Sequence, residues 1–336
     1  MKNYYYFILL VLTTSCMRVS SINLRPKKFN QYPSKIVWIQ LAGFDEEQIF
    51  HLNLKEADVK KSTFDAFTCV GMHWEYNSYT LSPGSHQVMR SLLTGKSNIN
   101  GTCDDFYHVP FWGYFSPEKI QSVVVEKLPE PGTSLLQSLD CKGAHPRWKP
   151  NYFIRLDGQN IDEAKMKPFS VLERGKLKVP GQYYDSSCNG DTCYNDLLTT
   201  MSYVVDEVLR YEKNFTFIFR DFSAEKFLKQ KDFSKWSKWL NEWNQVIAYL
   251  QNSLSTEETL ILITGVAPIP MQFPQAGSDL RKWVTQNTGL QLRQRSYLGK
   301  TWAMGARSEN FCGMYKTDDF LTRIFWHNTD KTFLGF

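Results

Sequence analysis

The chain has no dense run of lysine or arginine, no internal repeat and no low-complexity tract. Its formal net charge of +5 is mildly basic and dispersed, so nothing points to a nucleic-acid partner. After the first residues no apolar stretch approaches the roughly 20 residues that a spanning helix needs. Histidine is scarce, with six in 336 residues: His51, His73, His86, His108, His145 and His327. His73 and His145 each stand four residues after a cysteine, yet no close cysteine pair completes a zinc pattern with them. What remains is the composition of a globular protein, 42% hydrophobic and 22% charged.

The first residues read differently. One Lys2 precedes an apolar run from Tyr4 to Leu12, the length of a signal-peptide core and too short to span. Thr13, Thr14 and Ser15 then lead to Cys16, an arrangement that resembles a bacterial lipoprotein signal, with Leu12 four rather than three residues before the cysteine. The expectation is a signal peptide over 1–15, a lipidated Cys16, and a polar tether over 16–34. The lipid would hold the protein at a membrane of the cell envelope, since acyl chains bury about 0.8 kcal/mol per CH2. Ordinary secretion is the alternative. Two sequons, Asn100-Gly101-Thr102 and Asn214-Phe215-Thr216, leave a eukaryotic secreted origin open.

Apart from Cys16 there are six cysteines: Cys69, Cys103, Cys141, Cys188, Cys193 and Cys312. An even count in an exported chain fits three disulfides, with the pairing open. Cys188 and Cys193 enclose a short turn and can close a local loop. Cys69 and Cys103 bracket the segment from Tyr76 to Lys96 and can pin it.

Strand patterns alternate with helix patterns. Lys35–Leu41, Gln121–Glu126, Tyr152–Leu156, Asn214–Phe219, Thr259–Thr264 and Thr301–Met304 read as strands. Ser85–Leu93, Asn195–Arg210 and Phe233–Leu250 read as helices with apolar stripes. Trp236, Trp239 and Trp243 share the last stripe with Leu240 and Ile247, which favours packing on a sheet over carbohydrate or membrane contact. The region from Cys103 to Gly190 is irregular. The alternation predicts an α/β protein with a mostly parallel sheet covered on both faces, in one domain over 35–336.

The stretch YNSYTLSPGSHQVMRSLLTGK, Tyr76 to Lys96, resembles the nucleophile segment of the sulfatase branch of the alkaline-phosphatase superfamily. Asn77, Tyr79, Thr80, Ser82, Pro83, Leu92, Leu93, Thr94 and Gly95 fall in register, and Ser85 takes the nucleophile's place. KIVWIQLAGFD resembles that family's first strand, TLILITGVAP a later strand, and the segment from Thr301 to Ile324 its closing strand and helix. The resemblance implies a three-layer α/β/α sandwich with the site at the carboxyl ends of parallel strands. It also implies one or two divalent metals, such as zinc, held by Asp and His.

Those ligands are largely missing. The first-strand Asp falls on Ala42, with Asp45 three residues on. The Asp-His pair after the later strand falls on Val266 and Ala267, with Pro268 next. A third ligand segment corresponds to Asp221-Phe222-Ser223, which keeps only its Asp. The closing His position falls in Leu292-Arg293-Gln294-Arg295-Ser296. Val, Ala and Pro side chains have no donor for a hard cation. Without a metal, Ser85 is a weak nucleophile. A metal brings a bound oxygen's pKa from about 15.7 to near 7, whereas a helix N-terminus supplies only about 0.3–2 kcal/mol.

Three roles for Ser85 follow: helix N-cap, anion binding with His86, Lys96 and the Arg293–Arg295 stretch, or nucleophile. The leading expectation is a non-catalytic, envelope-located binding or scaffolding protein without a resident metal. The alternative is a divergent phosphate- or sulfate-ester hydrolase using Ser85, relocated ligands such as Asp45, Asp221 or His86, and zinc or another divalent cation. A third reading has the aromatic-rich middle region contact an envelope protein partner.

Overall fold

The computed structural model describes residues 33–325 except 56–61, 102–104, 107, 115–119, 131, 140–147, 157–169, 173–176, 178, 186–195, 211, 273, 275–276 and 287–288. The signal segment, Cys16 and most of the tether lie outside the described residues, as do Cys103, Cys141, Cys188 and Cys193.

In chain order the elements are β1 (Lys35–Ala42), α1 (Glu46–Lys55), β2 (Cys69–Trp74), α2 (Ser85–Thr94), β3 (Gln121–Lys127), α3 (Leu135–Leu139), β4 (Tyr152–Leu156), β5 (Ser170–Val171) and β6 (Gly181–Tyr184). They continue with α4 (Leu197–Val204), β7 (Phe215–Asp221), α5 (Ser223–Lys229), α6 (Phe233–Ser253), β8 (Thr259–Val266), β9 (Met271–Gln272), α7 (Gly277–Gln286), β10 (Gln291–Leu292), β11 (Leu298–Gly305), β12 (Gly313–Lys316) and α8 (Phe320–Phe325).

Ten strands form one sheet in the order β12-β2-β11-β8-β1-β7-β3-β4-β6-β5. β11 runs antiparallel to both its neighbours, and every other pairing in this sheet is parallel. The central strands β1, β7 and β8 are buried on both faces, which is why they read as near-continuous apolar runs. Residues alternate between two cores. One contains Val37, Ile39, Phe217, Phe219 and Ile263 beneath α4, α5 and α6. The other contains Trp38, Ile218 and Leu262 beneath α2, α3 and α8. The result is the expected α/β/α layering.

Several local expectations change. The predicted helix over 195–210 is α-helical only to Val204 and widens into a π-helical turn over Val205–Leu209. The strand at Thr301–Met304 extends from Leu298 to Gly305, and β12 follows it as the last strand. β2 lacks an apolar run, so its strand character was not legible; half of it faces outward, one strand in from the sheet edge. The tryptophans of α6 do pack inward. Trp236 donates its indole N–H to Gln48 Oε1 at 2.9 Å, and all three rings are buried.

Cys69 pairs with Cys312, not with Cys103. The register explains it: Gly313 lies opposite Gly71, so the chain ends preceding β12 and beginning β2 are adjacent, with the two cysteine Cα atoms 5.2 Å apart. The bridge spans 243 residues of sequence and fixes an edge strand that is only four residues long. Cys69→Ser should lower unfolding free energy by about 2–4 kcal/mol. Thermal melts with and without reductant check this: wild type should fall to the variant's melting temperature under reduction.

Candidate functional site

The carboxyl ends of β1, β7 and β8 meet the N-terminus of α2, where an open parallel sheet places its ligands. Gly84, in extended conformation, is the N-cap of α2, and Gln87 Oε1 accepts the Gly84 N–H at 2.7 Å. Ser85 is the first helical residue and is not the cap. Its hydroxyl is used elsewhere, donating to Glu225 Oε2 at 2.5 Å. Glu225 lies in the first turn of α5 and also binds Lys229 Nζ at 2.9 Å. Lys229 reaches Glu130 at 3.5 Å on its other side.

α5 comes close because the turn after β1 carries no side chain. Gly43 has φ +78°, and a Cβ there would stand 2.8 Å from the Glu225 Cα. Any larger residue would push Glu225 away from Ser85.

The candidate acidic ligands are occupied. Asp221 is fully buried at the end of β7. Its Oδ2 accepts the indole N–H groups of Trp239 and Trp243 at 2.7 and 2.8 Å, and its Oδ1 accepts the Ser223 N–H at 2.8 Å. Asp45 caps α1, its Oδ1 accepting the Glu46 N–H at 2.7 Å. Burial pushes the Asp45 carboxyl up to about 6.

At the end of β8, Val266 and Ala267 are buried and Ala267 holds a left-handed φ of +52°. Its N–H donates to Glu75 Oε1 at 2.6 Å. Glu75 is itself buried and accepts from Arg295 Nη2 at 2.7 Å. The same guanidinium donates through Nη1 to the Pro83 carbonyl, two residues before Ser85. Burial pushes Glu75 up to about 7, against the pull of Arg295. His73 approaches Glu75 at 3.9 Å but is no counter-ion, because burial drives its pKa down to about 3 and keeps it neutral.

A second buried pair lies on the α2 side of β7. Arg220 donates to Glu126, whose Oε2 also accepts from Ser134 Oγ at 2.6 Å and whose Oε1 accepts the Leu135 N–H at 3.0 Å. Arg90 of α2 binds Asp105 at 3.0 Å. His86 is half-buried with its ring against Gly84 and Gly101, and burial followed by the fields of Arg90 and Arg220 lowers its pKa.

Of the proposed anion-binding set, only Arg295 is tied to the Ser85 segment. Lys96 stands past the C-cap Gly95, eleven residues from Ser85 and so about 16 Å along the helix axis. Arg293 is exposed and pairs with Glu47 at 3.6 Å. Sequence reasoning missed Glu75, Glu225, Glu126 and Arg220. Glu225 and Lys229 do have helical i,i+4 spacing, but nothing local ties Glu225 to Ser85, 140 residues earlier.

This architecture is that of the alkaline phosphatases. The enzyme from the Antarctic bacterium TAB5 matches with a TM-score of 0.65 and 14% identity, over 88% of this chain and 97% of its own. The cold-active alkaline phosphatase of the psychrophile Shewanella sp. matches with a TM-score of 0.66 and 10% identity, over 86% and 98%. The lipoteichoic acid synthase LtaP of Listeria monocytogenes matches with 0.53 and 12%, over 91% and 75%. No family model and no curated protein sequence matches the chain.

A variant of the TAB5 enzyme has Mg bound in its M3 site. The donors of this chain do not fit such a group: Val266 and Ala267 present no side-chain ligand, and Asp221 is committed to two indoles. Among the described residues no group of three or more His, Cys, Asp or Glu is arranged to hold a metal ion.

Two predictions follow from these contacts. Trp243→Phe removes one donor from a buried carboxylate and should destabilise by about 1.5–3 kcal/mol in urea unfolding. Glu75 has a folded pKa near 7, above the ordinary carboxylate value, so the native state holds its proton longer than the unfolded one. Its contribution to stability is therefore full at low pH and is lost as pH rises towards about 7 and beyond, with Asp45 adding the same sign. The urea midpoint should fall between pH of about 5 and about 7.5, and less steeply in Glu75→Gln. Equal slopes would show that Glu75 does not titrate there.

Proposed function

We propose that this chain is an exported, lipid-anchored protein with the alkaline-phosphatase fold and no hydrolytic activity, which binds or scaffolds in the cell envelope. The observation that carries this reading is the Ser85–Glu225 hydrogen bond. A carboxylate of the protein, ion-paired to Lys229, sits against the helix N-terminus where an anionic ester would have to arrive. That position favours negative charge, and here the negative charge is built in. An incoming phosphate or sulfate would meet repulsion and would have to displace Glu225 first.

The cationic requirement is also met internally. Arg295 is a fixed, permanently charged group with a planar fork, and it satisfies Glu75 and the Pro83 carbonyl together. No side chain at Val266 or Ala267 asks for a metal. Membrane attachment rests on Cys16 and the apolar run before it, and location in the envelope follows from that attachment. An envelope protein is the partner class that a scaffold of this kind would serve.

The competing reading is a divergent phosphate- or sulfate-ester hydrolase. It draws on the same bond, with Glu225 taking the hydroxyl proton as Ser85 attacks. Two experiments separate the readings. Purified protein incubated with zinc, magnesium, manganese or calcium should retain less than stoichiometric metal after gel filtration. Its turnover of p-nitrophenyl phosphate and sulfate should be the same in wild type and Ser85→Ala. Retained metal together with hydrolysis lost in Ser85→Ala would establish the hydrolase. Anchoring is checked separately: radiolabelled palmitate should enter the wild-type protein in bacterial cells and be absent from Cys16→Ser, whereas an unlabelled wild type would indicate ordinary secretion.

A further inference from the structure

Ten large apolar side chains stand exposed among the described residues, and six of them gather at one corner of the sheet: Trp74, Tyr76, Tyr79, Leu81, Tyr297 and Met314. Strand pairing brings them together. Trp74 ends β2 opposite Leu298 of β11 and Lys316 of β12, Met314 lies opposite Met72, and the Glu75 N–H donates to the Tyr297 carbonyl at 2.9 Å. Single exposed apolar residues are ordinary, but a contiguous group marks a contact surface.

The loop from Tyr76 to Pro83 is built to hold its tip outward. Asn77 is buried and donates to the Ile99 carbonyl, and its own Oδ1 accepts the Tyr79 N–H at 2.8 Å. Pro83 is buried at the other end under Arg295. Between these pinned ends Tyr79 is 63% and Leu81 91% exposed. A fixed loop with a bare leucine at its tip, flanked by tyrosines and a tryptophan, has the chemistry of the interfacial zone of a bilayer. There amphipathic rings lie at headgroup depth and an aliphatic tip reaches the acyl chains.

We infer that this corner docks on an anionic lipid surface. Charge favours that occupant. From Tyr76 to Cys103 the sequence contains no acidic residue, and Lys96 stands beside the loop, where the Ser78 N–H meets the Ser97 carbonyl. Lys316 is exposed nearby with Asp318 and Asp319 after it, and Arg293 is exposed and pairs with Glu47. Two copies meeting through this corner would bring the same cations together. Chain length is also compatible. β2 runs parallel to β1, so the corner lies at the opposite end of the sheet from Lys35. Eighteen residues separate Cys16 from Lys35, enough to reach about 60 Å when extended, against about 27 Å for the length of β1. A lipid on Cys16 and the corner can therefore engage one bilayer. The inference requires neither that lipid nor an inactive Ser85.

Trp74 is the tryptophan that reports on this corner, because it alone among the described tryptophans belongs to the exposed apolar set. The full chain is mixed with vesicles of phosphatidylglycerol and phosphatidylethanolamine carrying brominated acyl chains, and tryptophan quenching is followed. Quenching should be clear, should fall by about half or more in Trp74→Phe, and should weaken in phosphatidylcholine vesicles. Tyr79→Ser with Leu81→Ser should reduce the vesicle affinity about tenfold. Val179→Ser, which removes an exposed apolar residue elsewhere, should leave it unchanged. All these positions are exposed, and unchanged circular dichroism would confirm folding. Quenching that persists fully in Trp74→Phe, or vesicle affinity indifferent to the Tyr79 and Leu81 changes, would overturn the proposal. So would a Trp74 signal that follows protein concentration without lipid, which would assign the corner to a second copy.

Discussion

The buried carboxylate of Glu75 is the constraint on which the site depends. It reaches three parts of the chain: the strained backbone at Ala267 after β8, the guanidinium of Arg295 before β11, and, through Arg295, the carbonyl of Pro83 ahead of α2. Removing one member leaves the others buried and unpaired, which costs more than the pair contributes. The apolar environment resists ionising Glu75, and this set of donors offsets only part of that resistance, leaving its pKa raised to about 7. The entry into α2, and so the position of Ser85, is set by that balance.

A second carboxylate settles what the other side of the site can do. Asp221 ends a central strand where a ligand-binding acid is expected, yet two indoles and a backbone N–H take its lone pairs. The indoles come from Trp239 and Trp243, one turn apart on α6, so the helix presents both to the same oxygen. Trp239 and Trp243 serve as core and as hydrogen-bond donors together. A carboxylate held this way fixes the helix against the sheet and has little capacity left for a cation.

Much of the fold was legible because the central strands are buried on both faces. Lys35–Leu41, Asn214–Phe219 and Thr259–Thr264 are near-continuous apolar runs. β2 was not legible, since this strand, one in from the sheet edge, alternates and Cys69–Trp74 contains a glycine and a histidine among its inward positions. The pairing of β11 with β2 and the Cys69–Cys312 bridge depend on contacts more than 200 residues apart, which no local pattern carries. The site followed the same division. The lack of side-chain donors at Val266 and Ala267 could be read directly, because it is visible in one residue. The charge pairs around them could not. Glu75 and Arg295, or Ser85 and Glu225, become partners only when the sheet closes.

A site held together by side-chain charge pairs differs physically from one built on a metal. A divalent cation concentrates charge at a point, polarises whatever reaches its open coordination position, and can be exchanged. Arg295 delivers one positive charge over a plane, with both terminal nitrogens already engaged, and Glu225 delivers the negative charge that a substrate would otherwise bring. Each of these charges has a partner in the same chain. The loop from Tyr76 to Pro83 hangs from these pairs with its apolar tip in solvent.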